Sequence, residues 1–333
     1  MAETEDEGFA DEKDQIEVDE AISLDSFDST NSSTKSLSES VHEYIFENGR
    51  RYHAYYETDK NMMPTDEKEQ DRLDMQHELM LALLDGKLHL SPLVEPQRIL
   101  DIGCGTGIWA IDTADEYPAA EVIGTDLSPI QPKWVPPNCR FELDDAELPF
   151  TFKPNHFDFI HMRNVSQSIS DWPNVLSEVY RCTAPGGYVE LAESGSDIRC
   201  DDRTMAMDDS FKVNVDLVIK ALDQIGRPPA TDTILRERLE KAGFVDVTVV
   251  NTKQPLGPWP KNRRLKILGA MTLMGMEAAI EAHSLATLTR ILHMDHEDVN
   301  EICRKSLEAA RNRGIHMYSF HHVVYGRKPG EDE

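Results

Sequence analysis

An apolar run that breaks into alternating glycines, Ile99-Leu-Asp101-Ile-Gly103-Cys-Gly105-Thr-Gly107, limits the folds open to this chain more than any other stretch. A strand that ends in such a turn and leaves it as a helix is the opening unit of a wound parallel sheet. Glycine is required where the backbone takes positive φ, or where a ligand must touch main chain with no Cβ between them. The dinucleotide fingerprint G-x-G-x-x-G does not fit, because the third glycine falls one place early and Ile108 stands where it should be. Asp101, just before the turn, argues against a polyphosphate, since two anions would share one low-dielectric pocket. It suits a ligand that carries positive charge. Asp126, 19 residues past Gly107, ends the next apolar strand, where an acid can accept hydrogen bonds from both hydroxyls of a ribose. Together the two acids fit an adenosine-like ligand with a cationic tail.

The rest of the chain extends this pattern. Strands are expected at Arg98–Ile102, Glu121–Thr125, Arg140–Leu143, Phe157–Met162 and Tyr188–Ala192, with helices at Ile108–Tyr117 and Val175–Cys182. A longer helical stretch follows at Thr204–Ile225, then a helix at Thr231–Lys241 stopped by Gly243, and a strand at Val245–Asn251. Helices over Arg263–His283 and His296–Arg313 precede a last strand at Met317–Tyr325. Upstream, Pro64 and Thr65 open a helix that closes at Asp85-Gly86. The aromatic and basic segment from Tyr44 to Glu57 has neither helical nor strand period, and its composition requires it to pack on something.

Charge separates one further piece. The chain carries 61 acidic and 34 basic residues, and Met1–Ser40 alone holds 13 acidic against 2 basic. With few large apolar groups, that arm reads as disordered, a solubility tail or a phosphorylated partner-binding tail. The division expected is an arm over 1–40, a packing segment over 41–96 and a catalytic domain over 97–333. A surface at −27 repels nucleic-acid backbones, so direct nucleic-acid binding is disfavoured. No run of about 18 apolar residues exists to cross a membrane, and the five scattered cysteines read as reduced thiols of cytosol or nucleus.

With these residues in view, Ile99–Gly107 resembles the first motif of class I S-adenosylmethionine-dependent methyltransferases, D-x-G-x-G-x-G. Asp144-Asp145-Ala146-Glu147 resembles the family's adenine-binding turn, Phe157-Asp-Phe-Ile-His161 its fourth-strand motif, and Pro185-Gly-Gly-Tyr-Val-Glu190 the loop and strand that follow. Finer segments narrow the likeness: Glu47–Tyr55, Glu69–His77, Gly107–Asp112, Gly124–Asn138 and His161-Met-Arg-Asn164 resemble the LaeA-like methyltransferases of filamentous fungi. The resemblance implies a doubly wound, seven-stranded Rossmann-like α/β sheet with its last strand antiparallel, and helical insertions at about 196–230 and 258–313 over the active site. S-adenosylmethionine is the implied cofactor, with Asp101, Gly103, Gly105, Gly107, Asp126, Leu127, Asp145 and Ala146 as its implied contacts. His161 is the candidate general base by position, with Arg163, Asn164 and Glu193 as positioning groups at the same rim. The ordinary alternative for His161 is a packed residue at a strand end.

Other signals stay open between two readings. Tyr52, His53 and Tyr55 form a lid or simply pack. Met271, Met274 and Met276 wall an apolar substrate pocket or fill a core. Lys261–Lys266 is a nuclear-import or docking patch, or a solvated helix start. Cys104 is a small filler of the turn, and the scattered histidines (His293, His296, His316, His321, His322) form no metal site. Function divides three ways: a regulator of secondary metabolism and development acting with velvet-type protein partners, a tailoring enzyme for one small metabolite, or a cofactor-binding scaffold. A cytoplasmic or nuclear location is expected for each.

Overall fold

A computed structural model describes residues 44–54 and 62–330. The acidic arm and Tyr55 lie outside the described residues. At the centre is a seven-stranded sheet of β3 (Arg98–Ile102), β4 (Glu121–Asp126), β5 (Cys139–Leu143), β6 (Phe157–Arg163), β7 (Thr183–Ser194), β8 (Val245–Pro255) and β9 (Tyr318–Arg327). Their order is β5-β4-β3-β6-β7-β9-β8. The first five run parallel, while β9 lies antiparallel to both β7 and β8. The order reverses between β3 and β6, so their C-terminal ends diverge into a crevice, the place where open α/β sheets bind ligands.

Both faces of the parallel strands are covered, which is why they read as nearly unbroken apolar runs. Alternate residues serve opposite faces. Ile99 and Phe159 pack under Trp109 and Ala110 of α2 (Ile108–Glu116). Leu100, Ile160 and Met162 pack under α3 (Trp172–Cys182) and α5 (Asp232–Ala242). A third apolar cluster forms a helical cap from α4 (Ser210–Gln224), α6 (Arg263–Ala286) and α7 (His296–Ala310). The expected helix from Thr204 begins only at Ser210, because the Asp209 carboxylate accepts from Phe211 N and Lys212 N and sets the N-terminus there.

The segment from Tyr44, expected to lack strand character, is a hairpin of β1 (Tyr44–Glu47) and β2 (Arg50–His53). Asn48 and Gly49 both take positive φ, 53° and 75°, the backbone of a two-residue type I′ turn. Arg50 of the hairpin meets Asp66 bidentately, at 2.7 and 2.9 Å. Asp66 is also the N-cap of α1 (Glu67–Leu83), accepting from Glu69 N. Tyr52 and His53 are fully buried, Tyr52 against Met62 and Ala286 with the Arg290 guanidinium over its ring. Packing, rather than a lid, is what these two rings do here. Arg264 of the basic patch bonds the last carbonyls of α1 at Ala82 and Leu83, a helix start tied to a neighbouring helix end.

The glycine turn fixes how closely β3 and β4 can approach α2. Gly107 has φ +80°, and a Cβ there would collide with the Phe141 ring on β5. Gly107→Ala is expected to lower unfolding stability by about 2–4 kcal/mol, from left-handed strain and overpacking together. Urea denaturation with an unchanged slope checks this, and a loss below about 1 kcal/mol would show that the ring yields freely.

Candidate active site

The turn is held from three sides. The Thr125 carbonyl on β4 accepts from Gly103 N at 2.8 Å and Cys104 N at 3.0 Å. The Asp126 carboxylate accepts from Gly105 N through Oδ2, at 2.8 Å, and from Ser128 N through Oδ1, at 2.9 Å. From above, Thr106 Oγ1 donates to Asp74 of α1 at 2.7 Å. Gly103, at φ +73°, has no room for a side chain, since a Cβ would stand 2.5 Å from Val165 Cγ1. Val165 is itself fixed, because the Glu193 carboxylate receives both Val165 N and Ser166 N at 3.0 Å. One carboxylate on each side thus clamps a loop at the crevice.

Above the strand ends lies a cavity of about 390 Å³. Asp101, Gly103, Gly105, Asp126, Leu127, Asp145 and Ala146 line it together. Their neighbours on the wall include Arg163, Asn164 and Glu193, while α4 and α6 close the far side with Phe211, Val218, Met271, Met276 and Ile280. Burial pushes the Asp126 carboxyl up to about 6, against the pull of its backbone donors Ser128, Gly105 and Leu127. Glu193 is pushed up to about 7 by the same cause. Burial beside Asp126 and Asp101 holds the Cys104 thiol well above its ordinary value, so it is no nucleophile.

Two of the expected site residues are not on the cavity wall. Gly107 turns inward toward Phe141 and serves as the N-cap position of α2. His161 sits one layer deeper, 1% exposed, stacked flat on Trp109 with centroids 3.7 Å apart. Its Nδ1–H donates to Asp101 Oδ1 at 2.8 Å. Burial drives this imidazole down to about 4 even though the Asp101 bond opposes it, so it is neutral around pH 7. An imidazole enclosed in this way reaches no acceptor, and the position-based expectation of a general base is corrected to a group that orients Asp101.

The structure also joins residues that spacing alone did not connect. Arg163 Nη2 lies 3.2 Å from His77 Nδ1, and His77 Nε2 lies 2.9 Å from Asp112 Oδ2. On the α6 side, His283 Nδ1 is 2.9 Å from Gln167 Oε1, and both residues line the cavity. The sequence signal for the first set is only that His77, Asp112 and Arg163 each lie in one of the segments that carry the family likeness, Glu69–His77, Gly107–Asp112 and His161-Met-Arg-Asn164. For His283 there is none, because its partner is 116 residues away.

Likeness to known proteins bears on this geometry. A methyltransferase-domain family model matches residues 75–249. The chain is 39% identical to methyltransferase pytC of Aspergillus terreus over 95% of this chain and 96% of that one. It is 38% identical to the secondary metabolism regulator LAE1 of Cochliobolus heterostrophus, over 85% and 94% of the two chains. To the protein-methionine methyltransferase laeA of Emericella nidulans it is 34% identical, over 85% and 76%. The chain belongs to the LaeA-like class I methyltransferases. Its cofactor is S-adenosylmethionine, and the residues on the wall fit that group: glycines where a Cβ would block the approach, and buried carboxylates facing a cationic, hydroxyl-bearing ligand. No helix among the described residues is long and apolar enough to cross a membrane.

Behind the site, Glu190 on β7 accepts from Leu90 N, Ser91 N and Ser91 Oγ through one oxygen, and burial lifts it to about 7. An acid whose pKa is raised on folding binds its proton more tightly in the native state. It therefore favours folding below its unfolded value, near 4.5, and loses that advantage as pH rises through 7. The stability of the wild type minus that of Glu190→Gln is expected to fall by about 3 kcal/mol between pH 4 and 8. Urea titrations across that window check it, and parallel curves for the two proteins would contradict it.

Proposed function

We propose that this chain methylates a small, largely apolar acceptor that enters the helical vault beside the cofactor. One observation carries the reading: a single cavity runs from the carboxylates at the glycine turn to the apolar sides of α4 and α6. In it Asp126 would hold the ribose hydroxyls, Asp145 and Ala146 the adenine, and Asp101 with Gly103 and Gly105 the amino-acid end. Leu127 would pack beside the base. Bound S-adenosylmethionine supplies a methyl group already activated on a sulfonium. The chain's own task is alignment and exclusion of water. His161 keeps Asp101 in one orientation, and Glu193 keeps the Val165–Ser166 loop over the turn. Met271 and Met276, adaptable and apolar, form part of the acceptor's wall. The neutral His283, whose Nδ1–H is spent on Gln167, offers Nε2 as an acceptor for the proton that leaves the methylated atom.

The likeness to methyltransferase pytC over nearly the whole of both chains is compatible with a tailoring role of this kind. A second reading is a regulator of secondary metabolism, which the name of the LAE1 relative favours, working with velvet-type protein partners. The acidic arm would then serve the partner rather than the chemistry.

Ala279, 8% exposed on α6, lines the vault away from the turn. Ala279→Trp is expected to fill the vault, abolish methylation and leave affinity for S-adenosylhomocysteine within about 3-fold of wild type. Untargeted metabolite profiling of a deletion strain complemented with this variant reads the outcome. One accumulated unmethylated precursor supports the tailoring enzyme. Restoration of many metabolites by the filled variant would instead support the partner-binding role and remove the vault from the function.

A further inference from the structure

Two guanidinium groups stand on the cavity wall, and their surroundings differ. Arg72 is paired twice with the buried Glu69 carboxylate, at 2.7 and 2.9 Å, and its third nitrogen donates to Gln76. Its charge is met. Arg163, at the end of β6, has no carboxylate within ion-pair distance among the described residues, and its hydrogen bond goes to the ring of His77. A guanidinium can only donate, so His77 Nδ1 must be the accepting nitrogen and the ring proton sits on Nε2, donated to Asp112. The relay fixes the guanidinium without neutralising it. Desolvation accordingly disfavours the Arg163 charge, with only the more distant Asp101 and Asp112 acting in its favour.

A desolvated cation on a cavity wall is costly unless an anion arrives to pair with it. The planar fork of an arginine matches a carboxylate in shape as well as charge. Asp101, on the neighbouring strand and on the same wall, offers the opposite charge. The wall between them is thus complementary to a zwitterion, an ammonium beside Asp101 and a carboxylate beside Arg163. We propose that Arg163, oriented by His77 and Asp112, binds the α-carboxylate at the amino-acid end of the cofactor. The proposal rests on the cofactor placement argued above. It also assigns a common purpose to three segments, Glu69–His77, Gly107–Asp112 and His161–Asn164, that are far apart in sequence and meet at this one guanidinium.

The test uses the full chain and two ligands measured by calorimetry: S-adenosylhomocysteine, and S-adenosyl-3-thiopropylamine, which keeps the nucleoside, the thioether and the amine but has no carboxylate. The wild type is expected to prefer S-adenosylhomocysteine by about 10–100-fold, the range for a hydrogen-bonded charge pair. Arg163→Gln is expected to lose that preference to within about 3-fold, while its affinity for the thiopropylamine stays at the wild-type level and reports an intact pocket. Arg163→Met serves as a second neutral variant. Equal affinities in the wild type, or a preference that survives in either variant, would overturn the assignment without the need for an assay of methyl transfer. Binding of neither ligand to the wild type would overturn the cofactor placement and this assignment with it, a result distinct from equal binding of both.

Discussion

The bond from Gly105 N–H to the Asp126 carboxylate is the contact on which the crevice depends. Without it the turn after β3 keeps only the Thr125 carbonyl as its tie to β4, and its tip at Gly105 is no longer held at the cavity floor. The same device recurs wherever a loop must be held at this end of the sheet. Glu193 takes two amides of the loop after β6, and Glu190 takes two of the segment after α1. Glu147 takes Ser170 N and Asp171 N at the start of α3. A carboxylate has lone pairs enough for several donors, and an amide bonded to a charged acceptor is bound more strongly than one bonded to a neutral oxygen. A chain this acidic therefore uses part of its negative charge as internal fasteners, which its overall charge does not reveal.

What could be read from the residues follows from the range of the forces involved. The succession of strands and helices was legible because apolar runs, glycine turns and helix caps are local, whereas the antiparallel last strand was implied only by the family resemblance. Asp66 caps α1 two residues after the Pro64 at which the sequence opens that helix, and Gly243 stops α5 as expected, in the left-handed conformation. The hairpin at Tyr44–His53 carries its own local signal, Asn48-Gly49, which a reading based on period alone passes over because each strand has only four residues. The residues expected at the cofactor site gather on one cavity wall, apart from Gly107, whose neighbour Phe141 comes from another strand, and His161. For His161 the sequence left a general base and a packed residue open, because position at a strand end does not say which face the ring takes, and Trp109 on α2 decides for packing. The vault was invisible at residue level. Its walls come from α1, α4 and α6, and no short-range pattern says which sides of those helices will face one another.

Burial then determines how the site's charge behaves around neutrality. His77 and His161, and likewise His283 and His321, are held below their ordinary value, chiefly by desolvation, so they add little positive charge. Asp126 near 6 and Glu193 near 7 are raised by the same force acting on the opposite charge type. The cavity is consequently a place where ionised carboxylates are poorly solvated and where the protein gives up stability to keep them. A ligand bearing positive charge reverses this, since each carboxylate it faces returns toward its ionised form and the desolvation cost becomes an attraction. Binding free energy and folding free energy are then linked through the same few groups. A neutral nucleoside gains none of that relief.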